Sequence, residues 1–160
     1  TPDIEKQLRL LNNNFKKELN LKGIFLTHAH IGHYSGLMYL GKEALGANSL
    51  DVFTMKRMFN FLKNNGPWSQ LVNEKNIFLN KIIENEKIVL NNNVSVIPVI
   101  VPHRDEFSET VGYYIKGKKN RAKESEDSVL LFCWDTDSYR LLMPKNVTSI
   151  VPLNRIIKND

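Results

Sequence analysis

Gly23-Ile24-Phe25-Leu26-Thr27-His28-Ala29-His30-Ile31-Gly32-His33 is the stretch on which the reading turns. An apolar run of strand length, 23–27, leads directly into three of the chain's four histidines. Imidazole is the commonest protein ligand for zinc-like metals, and ligand spacing decides whether the rings can converge. In an extended segment, residues two apart point to the same side, so His28 and His30 can share one ion. His33 stands where the chain turns into a helical pattern beginning near Tyr34, which lets its ring approach the same pocket from another wall. The fourth histidine, His103, ends a second apolar run, 94–102. Each histidine therefore sits at the end of an apolar segment, where layered α/β proteins build their sites.

The bulk properties bound what surrounds these residues. At 160 residues the chain is one domain with room for a core, and 42% hydrophobic with 24% charged residues is ordinary for a globular protein. A net charge of +5 suits an anionic substrate or nucleic acid. The basic residues are scattered, however, and the densest group, Lys116-Gly117-Lys118-Lys119-Asn120-Arg121, reads as an exposed hairpin loop. The expected partner is thus a small molecule, with nucleic acid not favoured and oligomeric state left open. A single cysteine, Cys133, excludes an internal disulfide framework, and its apolar neighbours make it a buried thiol. No stretch approaches the length of a membrane span, no signal-peptide pattern opens the chain, and a cytoplasmic location is the expectation.

Along the chain, Thr1-Pro2-Asp3-Ile4 reads as an N-cap followed by proline in a first helical turn, with Ile4, Leu8, Leu11 and Phe15 forming the apolar stripe. A strand over 23–27 follows, then a helix from about Tyr34 to Leu45 with Leu37, Leu40 and Ala44 inward and Gly46 as its stop. A short strand is expected over 51–54, and a helix marked by Met58, Phe59 and Leu62 that ends before Asn64-Asn65-Gly66-Pro67. Beyond it the period falls to two. Strands are expected at 77–79, 81–83, 87–90, 94–101, 111–116 and 128–134, with Asn91-Asn92-Asn93 as a turn and 117–127 as a long hairpin connection. Strands flanking helices, followed by a strand-rich meander, give an α/β layered domain with mixed sheets.

The histidine stretch resembles the metal motif of the metallo-β-lactamase fold, whose usual form is H-x-H-x-D-H. The longer text from Phe25 to Gly41 is similar to bacterial hydrolase-like members related to the pyrroloquinoline quinone biosynthesis protein B group. Asn65-Gly66-Pro67-Trp68-Ser69-Gln70-Leu71 and the block from Val101 to Tyr113 look like the same subgroup. The likeness runs from the first residues to about Tyr139, so 1–140 is taken as a partial or shortened metallo-β-lactamase-like domain and 141–160 as an unassigned tail. It implies an αββα sandwich lacking some N- and C-terminal elements, with the site at one edge. Carried over by position, it implies that His28, His30 and His103 hold a first metal, that Asp135 matches the aspartate bridging two metals, and that His33 matches a second-metal ligand.

Two departures from that pattern favour one zinc ion over two. Gly32 stands where the family has its second-metal aspartate, and no histidine follows His103. The first site keeps three imidazoles and one carboxylate, whereas only His33 and Asp135 remain for a second ion. The implied activity is metal-dependent hydrolysis of an ester, amide or phosphodiester of a small molecule. The alternatives are a nucleic-acid-processing hydrolase of the same fold and a non-catalytic metal-binding remnant. Around the motif, Asp105, Glu106 and Glu109 are either acceptors that fix the imidazole tautomers or solvated loop carboxylates. Arg104 is a partner for a substrate anion or for Glu106, while Tyr34 and Trp68 suit the core better than a pocket wall.

Overall fold

Backbone hydrogen bonding places Gly23–Phe25 of the 23–27 run in a parallel sheet. The computed structural model describes residues 1–15, 21–117, 128–132 and 149–150. Within them β1 (Gly23–Phe25), β2 (Leu50–Thr54) and β3 (Ile77–Lys81) pair in chain order, with Phe25 opposite Phe53 and Val52 opposite Leu79. Parallel neighbours need long crossovers. The β1–β2 crossover carries α2 (Ile31–Tyr34) and a 3-10 helix (Ser35–Leu40), and the β2–β3 crossover carries α3 (Lys56–Asn64) and α4 (Trp68–Asn73). The chain divides into two compact units, Thr1–Ile82 with Asp105–Glu109, and Ile83–Arg104 with Thr110–Asp160.

The core of the first unit follows from which residues these crossovers bury. Leu37 and Leu40 of the 3-10 helix, Met58 and Leu62 of α3, and Trp68 and Leu71 of α4 join Val52, Ile77 and Leu79 from the sheet. Each pair is three or four residues apart, so one face of each short helix supplies both side chains. Tyr34 sits in this core edge-on to Trp68, with ring centroids 4.9 Å apart, as expected of segment-end aromatics. Thr54, wholly buried at the end of β2, has a hydroxyl with no hydrogen-bond partner among the described residues.

The second unit is a sheet in the order β4 (Ile88–Val89), β5 (Val94–Ile100), β6 (Val111–Gly117), β7 (Ser128–Phe132) and β8 (Ser149–Ile150). Neighbours are antiparallel except β7 and β8. The Asn91 side chain makes the expected turn between β4 and β5 by accepting from the backbone of Asn93 at 2.8 Å and of Val94 at 2.9 Å. Proline inside a sheet removes a ladder donor. Pro98 is tolerated in β5 because β4 pairs only as far as Val96, and the Pro98 carbonyl accepts instead from Asn85 at 2.9 Å.

Several expectations need correction. The helix read over 34–45 is two pieces, since α2 opens at Ile31 and the 3-10 helix ends at Leu40. Gly41 is extended and residues 42–45 form a turn, which leaves Ala44 exposed; Gly46 does close the segment, at φ 56°. A 3-10 helix repeats every three residues, so Leu37 and Leu40 fit it as well as an α-helix. α4 was not foreseen, and no separate strand covers 81–83. β3 ends at Lys81, after which the Ile82 amide donates to the Thr54 carbonyl at 2.9 Å. α1 (Ile4–Phe15) opens at Ile4 rather than at Pro2, and of its stripe Ile4 and Leu8 are half-buried while Leu11 is exposed. The 117–127 connection beyond Gly117, Cys133 and the tail from 141, apart from β8, lie outside the described residues. No helix among those residues is long and apolar enough to cross a membrane.

Candidate metal centre

The C-terminal end of β1 delivers the histidines. Pairing with β2 continues one residue past the strand, where the Leu26 amide donates to the Phe53 carbonyl at 3.1 Å. His30, extended at φ −83° and ψ 134°, caps α2. His28 and His30 consequently project together, their rings edge-to-face with centroids 4.6 Å apart. His33 enters from the first turn of α2, its amide donating to the His30 carbonyl at 2.8 Å. That turn brings its ring to 4.4 Å from the ring of His28. The three imidazoles of the motif therefore form one cluster, as the alternation and the helix start required.

Burial and hydrogen bonding distinguish the rings. His28 is 1% exposed, and its Nδ1 lies 3.1 Å from the Thr27 hydroxyl. The His30 Nε2 lies 3.2 Å from a Glu106 carboxylate oxygen. An ionised carboxylate only accepts, so this contact suits the His30 tautomer that carries a proton on Nε2. A carboxylate or other acceptor on the far nitrogen is the usual support of a metal-ligating histidine, because it fixes tautomer and ring orientation. The donor chemistry of the cluster thus fits a borderline-soft divalent ion.

Glu106 reaches the cluster because its segment, 105–109, is anchored at both ends. The Ser108 hydroxyl, buried, accepts from the Ala29 amide at 2.8 Å and donates to the Glu109 carbonyl at 2.9 Å. Arg57 and Glu109 hold the segment to the start of α3. Of the three carboxylates considered in the sequence, Glu106 alone bonds a histidine in this set, while Asp105 and Glu109 bond Arg57. Ser108 and Arg57 were missed in the sequence. They act across 79 and 48 residues, respectively, and neither periodicity nor local spacing carries such pairs.

His103 lies after β5, half-buried, in the second unit. Asp135 lies outside the described residues. Gly32 is exposed in α2, and a Cβ placed there would meet nothing within 4 Å.

None of the curated proteins matches the chain in sequence. Among solved structures, zinc-bound PqqB from Methylobacterium extorquens is similar over 82% of this chain and 45% of its own, at 18% identity and a TM-score of 0.58. Unliganded yeast PDE1 is similar over 74% of this chain and 35% of its own, at 15% identity and a TM-score of 0.53. The chain thus spans less than half the length of either, and at these identities the likeness is one of fold. A family model described as a beta-lactamase superfamily domain matches residues 1–129. With the parallel sheet, the second sheet and the histidine cluster in place, the chain belongs to the beta-lactamase superfamily and has its metallo-β-lactamase fold.

Proposed function

We propose that the chain is a metal-dependent hydrolase in which His28, His30 and His103 ligate one zinc ion. The observation that carries this reading is the clustering of the His28, His30 and His33 rings at the end of β1, with Glu106 fixing His30. Two imidazoles from one extended segment and a third from a distant strand end make the three-nitrogen set that catalytic zinc sites use, with a position left for water or substrate. Asp135 is the carboxylate assigned to the same ion. His33 serves as proton acceptor beside it, or as a ligand where a second ion binds.

An ion bound there would supply Lewis acidity toward a carbonyl or phosphoryl oxygen and would lower the pKa of a water on it to about 7. The chain's own part is to hold the donors. Thr27 and Glu106 orient two rings, and the burial of His28 keeps bulk water from its side of the cluster. The substrate is an ester, amide or phosphodiester of a small molecule. Hydrolysis of para-nitrophenyl acetate and bis-para-nitrophenyl phosphate by chelator-treated protein, before and after adding back zinc, tests the reading. Turnover of either compound that requires zinc and is lost in His30→Ala supports it. Equal rates with and without the metal contradict it.

A further inference from the structure

Arg57 stands at the first turn of α3, on an element that contributes no histidine, yet both its amide and its guanidinium bond the segment 105–109. Its guanidinium donates to the Asp105 carboxylate at 3.0 Å, to the Asp105 carbonyl at 2.6 Å and to the Glu106 carbonyl at 3.2 Å. Those two carbonyls flank the Cα of Glu106, so one planar, rigid donor group fixes the direction in which the Glu106 side chain leaves the backbone. The contact is reciprocal. Both carboxylate oxygens of Glu109 accept from the Arg57 amide, at 3.1 and 3.0 Å. Met55 caps α3 without a side-chain bond, so Glu109 supplies from a distant segment the anion that a helix start favours.

The segment held in this way touches the histidine stretch twice. Glu106 meets the His30 ring, and Ser108 takes the Ala29 amide between His28 and His30. We propose that Arg57 and Glu109 are positioning residues for the metal centre, clasping 105–109 to α3 so that Glu106 and Ser108 hold the His28–His30 pair in ligating geometry. The inference rests on the metal-binding reading above. It assigns the clasp to metal affinity rather than to folding, because the Arg57 and Asp105 side chains are 45% and 67% exposed and such ion pairs add little to stability.

The test measures zinc affinity by competition with a chromophoric chelator, alongside thermal unfolding of the metal-free protein, for the parent chain, Arg57→Ala and Arg57→Lys. Losing the outer support of a ligating histidine weakens metal binding by about 10–100-fold, and Arg57 acts one bond further out, so about tenfold is expected for Arg57→Ala. The metal-free unfolding midpoint should stay close to that of the parent. Arg57→Lys keeps a charge for Asp105 but not the two-nitrogen fork, in which Nη1 bonds the Asp105 carboxylate while Nη2 bonds both carbonyls, and should recover the affinity only in part. Should Arg57→Ala not fold, Arg57→Lys decides: weakened zinc binding supports the clasp and parental binding overturns it. Unchanged affinity in a folded Arg57→Ala also overturns it. Absence of zinc binding by the parent chain would count against the hydrolase reading itself, and is visible before any variant is made.

Discussion

Ser108→Ala separates the scaffold of the site from its metal. The Ser108 hydroxyl is the acceptor for the Ala29 amide at 2.8 Å, and both residues are buried, at 2% and 6% exposure. Removing the oxygen leaves a buried N–H without an acceptor, which costs about 1–3 kcal/mol. The hydroxyl's second bond, to the Glu109 carbonyl at 2.9 Å, adds less because that residue is only partly buried. A destabilisation of about 2 kcal/mol is therefore expected, equivalent to a fall of about 4–8 °C in the thermal midpoint for a chain of this size. Urea unfolding of the metal-free variant, followed by far-ultraviolet circular dichroism, reads this directly. Ser108→Cys nearly preserves volume but supplies a poor acceptor, so it should lose most of the same free energy. A cost below about 0.5 kcal/mol for Ser108→Ala, the range of an ordinary surface substitution, would refute the claim that this bond secures the histidine stretch.

Three further perturbations probe other parts of the structure. Thr54→Val replaces a buried, unbonded hydroxyl with a methyl of similar shape and should stabilise the chain by about 1 kcal/mol in urea titrations; a loss of stability would mean the hydroxyl has a partner. Burial pushes the Tyr113 phenol well above its ordinary value of 10.0. The folded chain then holds this proton where the unfolded chain has released it, so the associated stability is full below pH 10 and falls as pH rises beyond it, by about 1.4 kcal/mol per pH unit. Tyr113→Phe should flatten that alkaline decline in unfolding curves recorded across pH, and an unchanged slope would assign it to other groups. Gly32→Asp has open space for its side chain and should fold as the parent does, with metal content per chain raised by the restored carboxylate. Unchanged content would show that His33 and Asp135 do not serve a second ion.

The parts of this fold legible in the sequence are those where one local period has one structural meaning. The run 23–27 leading into His28-Ala29-His30 reads as an extended segment, and β1 (Gly23–Phe25) with the adjacent rings of His28 and His30 follows that reading. β5 and β6 were legible for the same reason. The helix read from Tyr34 was not, because Leu37 and Leu40 satisfy a three-residue repeat as readily as a 3.6-residue one, and Gly41 then releases the chain. α4 is six residues long and shows a single buried spacing, Trp68 to Leu71, too little to register as a period. At the site, the ring cluster was legible from spacing. The support given by Glu106, Ser108 and Arg57 was not, since it depends on how a segment near residue 107 returns to the end of β1 and the start of α3. Such returns are set by tertiary packing, and no pattern within a window reports them.

Metal binding by the imidazoles at the end of β1 is open to direct measurement. Equilibrium dialysis of chelator-treated protein against zinc, with metal counted by elemental analysis, addresses it without reference to any substrate. About one ion per parent chain is expected, with loss of that ion in His28→Ala, His30→Ala and His103→Ala and the metal-free variants still folded. A parent chain that takes up no zinc, or variants that retain it in full, would contradict it.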